Sequence, residues 1–279
     1  MIAISGESER RLALARRCAP ACAADEVVIL SGSAGFGIAD ERSDVDLYVF
    51  GNGPKKGEDR FAKHGLRKVF ETPTRRGGTL ARHVVDGIAF DVEVVPRLEV
   101  ERVLDAVLRE HDVDPEKQRM VRGLLDAVPI AGVSDWKAWC ERLAEYPPQL
   151  GFNMLRAHLH FERLADMKRR TLDRGDTLAF YGRLTGTLVN ALGSLAGLNR
   201  YYLGVAAHVL KWTDVHLGRM SALPAGATER MKAALRQPTD GRMEDLDALI
   251  SEILDLVDRM APQVPTRYVR PFLSSSISR

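Results

Sequence analysis

The run Val27-Val28-Ile29-Leu30-Ser31-Gly32-Ser33, followed after a short spacer by Ser43-Asp44-Val45-Asp46-Leu47-Tyr48-Val49-Phe50, decides how the rest of the chain is read. Val27 to Leu30 is an apolar strand that enters a small-residue turn. Val45 to Phe50 is a second strand, opening with two aspartates. Alternate residues of a strand point the same way, so Asp44 and Asp46 share a face while Val45, Leu47 and Val49 enter a core. Two carboxylates fixed side by side repel unless a cation lies between them. Oxygen-only donors on a rigid element suit Mg²⁺, which completes its shell with water and substrate phosphates. Gly32 and Ser33 offer backbone N–H groups and a hydroxyl to such phosphates. The alternative is a surface turn whose aspartates only cap and solvate it.

Gly32-Ser33, a spacer, then Ser43-Asp44-Val45-Asp46-Leu47 resembles the signature of the DNA polymerase β-like nucleotidyltransferase superfamily. That signature is Gly-Ser, then Asp-x-Asp, with a third acidic residue on a later strand. The resemblance covers the N-terminal part of the chain. It implies a small mixed β-sheet domain, an NTP (ATP in the first instance) as co-substrate, and one or two Mg²⁺ ions.

A hairpin downstream supplies the third position. Thr79 to Val85 and Ile88 to Val95 are β-rich runs joined by Asp86-Gly87, a strong two-residue turn signal. Ile88, Phe90, Val92 and Val94 face one way; Ala89, Asp91 and Glu93 face the other. A carboxylate in an otherwise apolar strand is costly unless it is paired or open to a cleft. The resemblance assigns the third carboxylate to Asp91. Glu93, on the same face, is the second choice, or else a solvent-facing edge residue.

The remaining N-terminal segments frame these strands. Ser8 to about Ala23 reads as a helix, with Leu12, Leu14, Ala15 and Cys18 inward and Glu9, Arg10, Arg11, Arg16 and Arg17 in solvent. Lys55 to Phe70 is charged and partly helical. Glu71 to Gly78 is an exposed loop in which Arg75 and Arg76 are solvated charges, with phosphate or acceptor contact as the other reading.

After Pro96 the pattern changes to helices, with no convincing strand beyond residue 98. Leu98 to His111, Pro115 to Ala127 and Ser134 to Glu145 are helical. Leu150 to Arg170 is a longer helix that aligns Arg156, His160 and Arg163 on one face, either a solvated stripe or an anion-binding wall. Asp176 caps the next helix. There Leu178, Tyr181, Thr185, Leu188, Leu192 and Leu195 form a bundle seam. Leu203 to Met220 is another helix, and Leu246, Leu249, Ile253, Val257 and Met260 repeat the seam. The fold class expected is therefore α+β: a nucleotidyltransferase domain at 1–97 and an all-α bundle at 98–279 that binds the acceptor. This split is similar to that of the kanamycin and lincosamide enzymes of the superfamily.

Composition bounds the partners. The 279 residues are 45% hydrophobic and 28% charged, ordinary for a soluble globular protein. A net charge of +2 from 40 basic and 38 acidic side chains makes no global electrostatic case for nucleic acid, though a local basic patch stays open. Cys18, Cys22 and Cys140 have no Cys/His cluster to complete a zinc site and read as reduced thiols of a cytoplasmic protein. The first residues lack a signal-peptide core, and no apolar run reaches the ~20 residues of a membrane span. Helix faces in such bundles often pair, so a homodimer is compatible, although no residue marks it.

The chemistry expected is transfer of a nucleoside monophosphate from NTP to a hydroxyl of a small molecule, for example an aminoglycoside or lincosamide antibiotic. Asp44 and Asp46 would hold the Mg²⁺ that accompanies the triphosphate. Asp46 and Asp91 would hold a second Mg²⁺; with one ion only, Asp91 becomes the general base. Gly32 and Ser33 would grip the β- and γ-phosphates. Ser43 would orient Asp44, touch phosphate or cap its own turn. Lys211, after the junction Asn199-Arg200-Tyr201-Tyr202-Leu203-Gly204, would contact the triphosphate; a mobile junction and a solvated lysine are the plainer reading. His83, His208 and His216 have no ligand spacing and are structural. A protein or tRNA acceptor, or a non-catalytic nucleotide-binding regulator, are the competing functions.

Overall fold

The structure, a computed structural model, describes residues 5–22, 24–51, 60–74, 76–204, 212–236, 242–270 and 273. The expected contributions of Arg75, His208 and Lys211 lie outside these residues. The chain is α+β and divides into two compact units, one of Met1–Ala106 with Met120–Glu145 and one of Val107–Arg119 with Tyr146–Arg279. Residues 98–106 and 120–145 thus associate with the sheet rather than with the helical part that was expected to begin at 98. Among the described residues no helix is long and apolar enough to cross a membrane.

The first unit is built on a six-stranded mixed sheet in the order β3-β4-β5-β2-β1-β6. The strands are β1 (Val27–Ser31), β2 (Val45–Phe50), β3 (Arg67–Pro73), β4 (Thr79–Val85), β5 (Ile88–Val95) and β6 (Val128–Ala131). β2 runs parallel to β5 and antiparallel to β1. The β4–β5 hairpin closes through Asp86 at φ 51° and Gly87 at φ 76°, the paired left-handed conformations of a tight hairpin turn. Val45, Leu47, Val49, Phe90 and Val92 join Leu14, Ala15 and Cys18 of helix α1 (Gly6–Cys18) in one core cluster. On the other face Phe50 meets Trp139 edge-on at 5.5 Å, and the Trp139 indole N–H donates to Glu101 at 2.8 Å. Trp139 lies on α5 (Val133–Arg142) and Glu101 on α3 (Arg97–Leu108). A short helix α2 (Gly32–Gly35) follows β1, and α4 (Pro115–Asp126) precedes β6.

Two strands depart from the sequence expectation. β3 forms where a partly helical segment and a loop were expected. It is an edge strand with nearly every residue exposed, so it carries no apolar alternation to mark it. β6 overturns the absence of strands after residue 98. It has four residues, includes Pro129, and pairs only with β1, the position a sheet edge allows to proline.

Helix α1 is not solvated along its whole arginine face. Arg11 is 1% exposed, because its guanidinium donates to the Ser43 carbonyl at 2.8 Å and the Glu41 carbonyl at 3.3 Å and pairs with Glu7. Ser8 is also buried, its hydroxyl accepting from the Ala39 N–H at 3.0 Å, while Ser5 caps the helix and donates to the Ala39 carbonyl at 2.7 Å. The polar face of α1 therefore pins the spacer that joins the Gly-Ser turn to the aspartate strand.

The second unit is helical: α6 (Pro148–His158), α7 (Leu164–Arg170), α8 (Thr177–Leu198), α9 (Thr213–Leu217), α10 (Ala227–Arg236) and α11 (Arg242–Met260). The helix expected over Leu150 to Arg170 breaks after His158, so Arg156, His160 and Arg163 do not form one stripe. The freed backbone groups are met by side chains: Asn190 Nδ2 donates to the His160 carbonyl at 2.7 Å, and the Leu164 N–H donates to Asp247 at 3.2 Å. His158 donates to Asn190 at 3.2 Å, and burial pulls its pKa below the usual histidine value. α6 and α8 meet where Gly151 and Gly197 face each other; a Cβ on either would lie 2.9 Å from the other's carbonyl.

Asp176 caps α8, its carboxylate accepting from the Ala179 N–H at 3.0 Å. The α8 seam shifts in its first half. Phe180 and Leu184 are buried, whereas Leu178 is 86% exposed, and the expected seam resumes at Leu188, Leu192 and Leu195. The buried step of four from Phe180 through Leu184 to Leu188 is wholly apolar, whereas the expected line carried the hydroxyls of Tyr181 and Thr185. On α11, Leu246, Leu249, Ile253 and Val257 are buried as the seam requires, and Met260 is half-exposed. The Asn199 junction is tied into the fold, with Arg200 left exposed. Asn199 Nδ2 donates to the Leu195 and Ala222 carbonyls at 2.8 and 3.0 Å, its Oδ1 accepts from the Ser221 and Ala222 N–H groups, and Tyr201 and Tyr202 are buried.

Arg11→Met should lower the free energy of chemical unfolding by about 3 kcal/mol, since the Glu41 and Ser43 carbonyls and Glu7 lose their buried cation. A loss below about 1 kcal/mol in urea titrations would show that the spacer holds itself without α1.

Candidate active site

Two neighbouring strands bring the expected carboxylates together. β2 and β5 are parallel and in register, with Asp46 directly beside Asp91. Asp44 stands at the entrance to β2. Carboxylate oxygens of Asp44, Asp46 and Asp91 all lie within 4.8 Å of one another, and all three residues are half-buried. Like charges at this spacing raise one another's cost of ionisation unless a positive charge intervenes. The donor set suits a hard divalent cation such as Mg²⁺: oxygen ligands only, on paired strands, with the Asp44 side chain 40% exposed.

Gly32 is placed by contact with this cluster. It adopts φ +61°, and a Cβ there would lie 1.8 Å from Asp46 Oδ2. Ser31, just before it, pairs with Asp46 across β1 and β2. The chain can therefore turn against the carboxylate only without a side chain at this position. Gly32, Ser33 and Ala34 open α2, where first-turn N–H groups have no intrahelical acceptor. The turn is closed by hydrogen bonds from the Phe36 N–H to the Gly32 carbonyl and from the Ile38 N–H to the Ser33 carbonyl, at 3.0 and 2.9 Å.

Ser43 is committed to its own turn. Its hydroxyl donates to the Asp40 carboxylate at 2.9 Å and accepts from the Asp40 N–H at 3.0 Å. Hydrogen bonds from Ser43 hold the exposed Asp40 carboxyl below the usual range. Of the three roles weighed for Ser43, the geometry displays the capping one. Glu93 lies on the Asp91 face but accepts from Arg76 at 3.4 Å and is not in the three-carboxylate group. Arg76 was expected to be a solvated loop charge; its side chain is 14% exposed, turned in toward this partner.

One site residue escaped the sequence reading. Arg82 of β4 sits opposite Asp91 in the hairpin register. Its Nε donates to Asp91 Oδ1 at 2.6 Å and its Nη2 to Asp91 Oδ2 at 2.5 Å, a two-pronged ion pair. The same Nη2 is 3.9 Å from Asp44 Oδ2. Hydrogen bonding to Asp91 raises the guanidinium pKa above its already high value. The signal was present: a two-residue turn at Asp86-Gly87 fixes the pairing, and the fourth pair from the turn is Arg82 opposite Asp91.

The cysteines take no part. Burial pushes the thiols of Cys18, Cys22 and Cys140 up to about 11, so none is a thiolate nucleophile at neutral pH. His83 and His216 are buried, at 1% and 3% exposure, as structural residues would be.

No protein-family model matches the sequence, and no curated protein matches it. Among solved structures, a nucleotidyltransferase-like protein from Exiguobacterium sibiricum 255-15 aligns with 11% identity, over 91% of this chain and 75% of its own, with a TM-score of 0.34. A CCA-adding enzyme solved with CTP aligns with 15% identity, over 99% of this chain and 79% of its own, with a TM-score of 0.27. Overlap this loose fixes neither fold nor activity, so the site stands on its own residues.

Gly32→Ala should cost about 1–3 kcal/mol of stability, because it places a side chain at positive φ and drives it into Asp46. Urea unfolding checks this. A variant as stable as the parent would mean that the Asp46 carboxylate moves aside freely.

Proposed function

We propose that the chain is a metal-dependent nucleotidyltransferase that moves a nucleoside monophosphate such as AMP from an NTP to a hydroxyl of a small-molecule acceptor. The observation that carries this reading is the convergence of Asp44, Asp46 and Asp91 within 4.8 Å. The side-chain-free turn at Gly32, in contact with Asp46, supports it. In the reaction the acceptor oxygen bonds to the α-phosphorus, the α–β phosphoanhydride breaks, and pyrophosphate leaves.

Asp44 and Asp46 would hold the ion that accompanies the triphosphate. Asp46 and Asp91, side by side on parallel strands, would hold a second. Bound Mg²⁺ would neutralise the triphosphate and lower the pKa of the acceptor hydroxyl. With one ion present, a carboxylate oxygen of Asp91 would take the acceptor proton itself. The open N–H groups of the Gly32 turn and the Ser33 hydroxyl would bind the β- and γ-phosphates. A hydroxyl acceptor of the aminoglycoside or lincosamide type accords with an α/β unit accompanied by a helical one. The net charge of +2 gives no pull toward an extended polyanion.

The test is a mass-shift and pyrophosphate-release assay with NTPs, Mg²⁺ and an acceptor library. Wild type should transfer one nucleotide in a metal-dependent way, and Asp46→Asn should be slower by roughly 10³-fold or more. The variant should unfold at the same temperature as wild type or higher, since one of three like charges is gone. Wild type that releases no metal-dependent pyrophosphate with any NTP across the panel contradicts the reading.

A further inference from the structure

A cation lies beside the three carboxylates. A row of side chains crosses the sheet at one level: Phe70 on β3, Arg82 on β4, Asp91 on β5, Asp46 on β2 and Ser31 on β1, each opposite the next in register. The Arg82 fork engages both oxygens of Asp91 and leans to within 3.9 Å of Asp44. Its carbon lies 5.8 Å from the centroid of the Phe70 ring. We propose that Arg82 is the resident cation of the carboxylate cluster, which competes with divalent metal for Asp91 and must turn away before that carboxylate can serve the reaction.

Three physical points carry the inference, which rests on the metal-dependent reading above. The two-pronged pair takes one lone pair of each Asp91 oxygen and sets a fixed positive charge against both, so a divalent ion approaching the same oxygens meets direct repulsion from the guanidinium. A guanidinium stays charged at every working pH, so Arg82 leaves only by moving. It has room to move: its side chain is 40% exposed, and Phe70, whose ring centroid the guanidinium carbon already approaches to 5.8 Å, is 42% exposed. A purely structural ion pair would be expected where both partners are shielded, whereas the Arg82 side chain here is 40% exposed. The arrangement offsets one of the three carboxylate charges between turnovers and ties exposure of Asp91 to arrival of the competing positive charge.

The test needs no substrate. Mn²⁺ is titrated against the full chain, and free Mn²⁺ is read by its electron paramagnetic resonance signal, for wild type, Arg82→Gln, Arg82→Lys and Asp46→Asn. Arg82→Gln should bind Mn²⁺ roughly tenfold tighter than wild type, a coupling within the usual range between competing ligands. Arg82→Lys keeps the charge without the fork and should fall between the two. Asp46→Asn should abolish binding. Equal or weaker Mn²⁺ binding by Arg82→Gln, with Asp46 still required, overturns the proposal and leaves the metal site standing. Absence of Asp46-dependent Mn²⁺ uptake in wild type and in Arg82→Gln overturns the metal site and the proposal together. Thermal unfolding in chelator checks that each variant is folded. Should Arg82→Gln not fold, Arg82→Lys decides alone: tighter binding supports the proposal, and equal or weaker binding overturns it.

Discussion

Three carboxylates held within 4.8 Å of one another are the constraint to which the first unit is arranged. Such a cluster opposes folding unless positive charge is supplied, and the sheet supplies it in the form of Arg82, one strand over from Asp91. The parallel pairing of β2 with β5 sets Asp46 beside Asp91, and the hairpin sets Arg82 beside Asp91. The charge pattern is thus written into strand register, where a slip of one residue would turn every one of these side chains to the opposite face.

The surrounding elements fix the two halves of the motif against each other. Gly32 can approach Asp46 because it has no Cβ, and the spacer between them is held from outside by Ser5, Ser8 and Arg11 of α1. Burying an arginine is costly unless its donors are satisfied. Arg11 answers that by bonding loop carbonyls, which have no strand partner of their own to turn to. On the far end of the same sheet face Phe50 packs edge-on against Trp139, while at the aspartate end the Asp44 side chain is 40% exposed.

Much of this was legible in the sequence. The apolar alternation of β2, the Asp-Gly turn and the acidic positions of β5 predict their own strands and faces, because each is a local pattern with a period of two. β3 and β6 were not legible. One is an exposed edge and the other is four residues long with a proline, and both depend on a neighbouring strand that local sequence does not name. Arg11 read as solvent-facing because its partners are backbone carbonyls more than a full helix away in sequence. Arg82 was recoverable from register, yet register becomes visible only after the turn is trusted. In the helical unit, the seam of α8 was read as starting at Leu178, whereas packing buries Phe180 and Leu184 ahead of Leu188. The break after His158 depended on Asn190 and Asp247, each on another helix.

The most direct measurement is diffraction from crystals grown with Mn²⁺ and a non-hydrolysable NTP, recorded for the anomalous signal of manganese. The account predicts anomalous density among Asp44, Asp46 and Asp91, phosphates against the Gly32 turn, and Arg82 withdrawn from Asp91. Manganese and triphosphate elsewhere on the molecule, with the Arg82 fork still closed on Asp91, would contradict it.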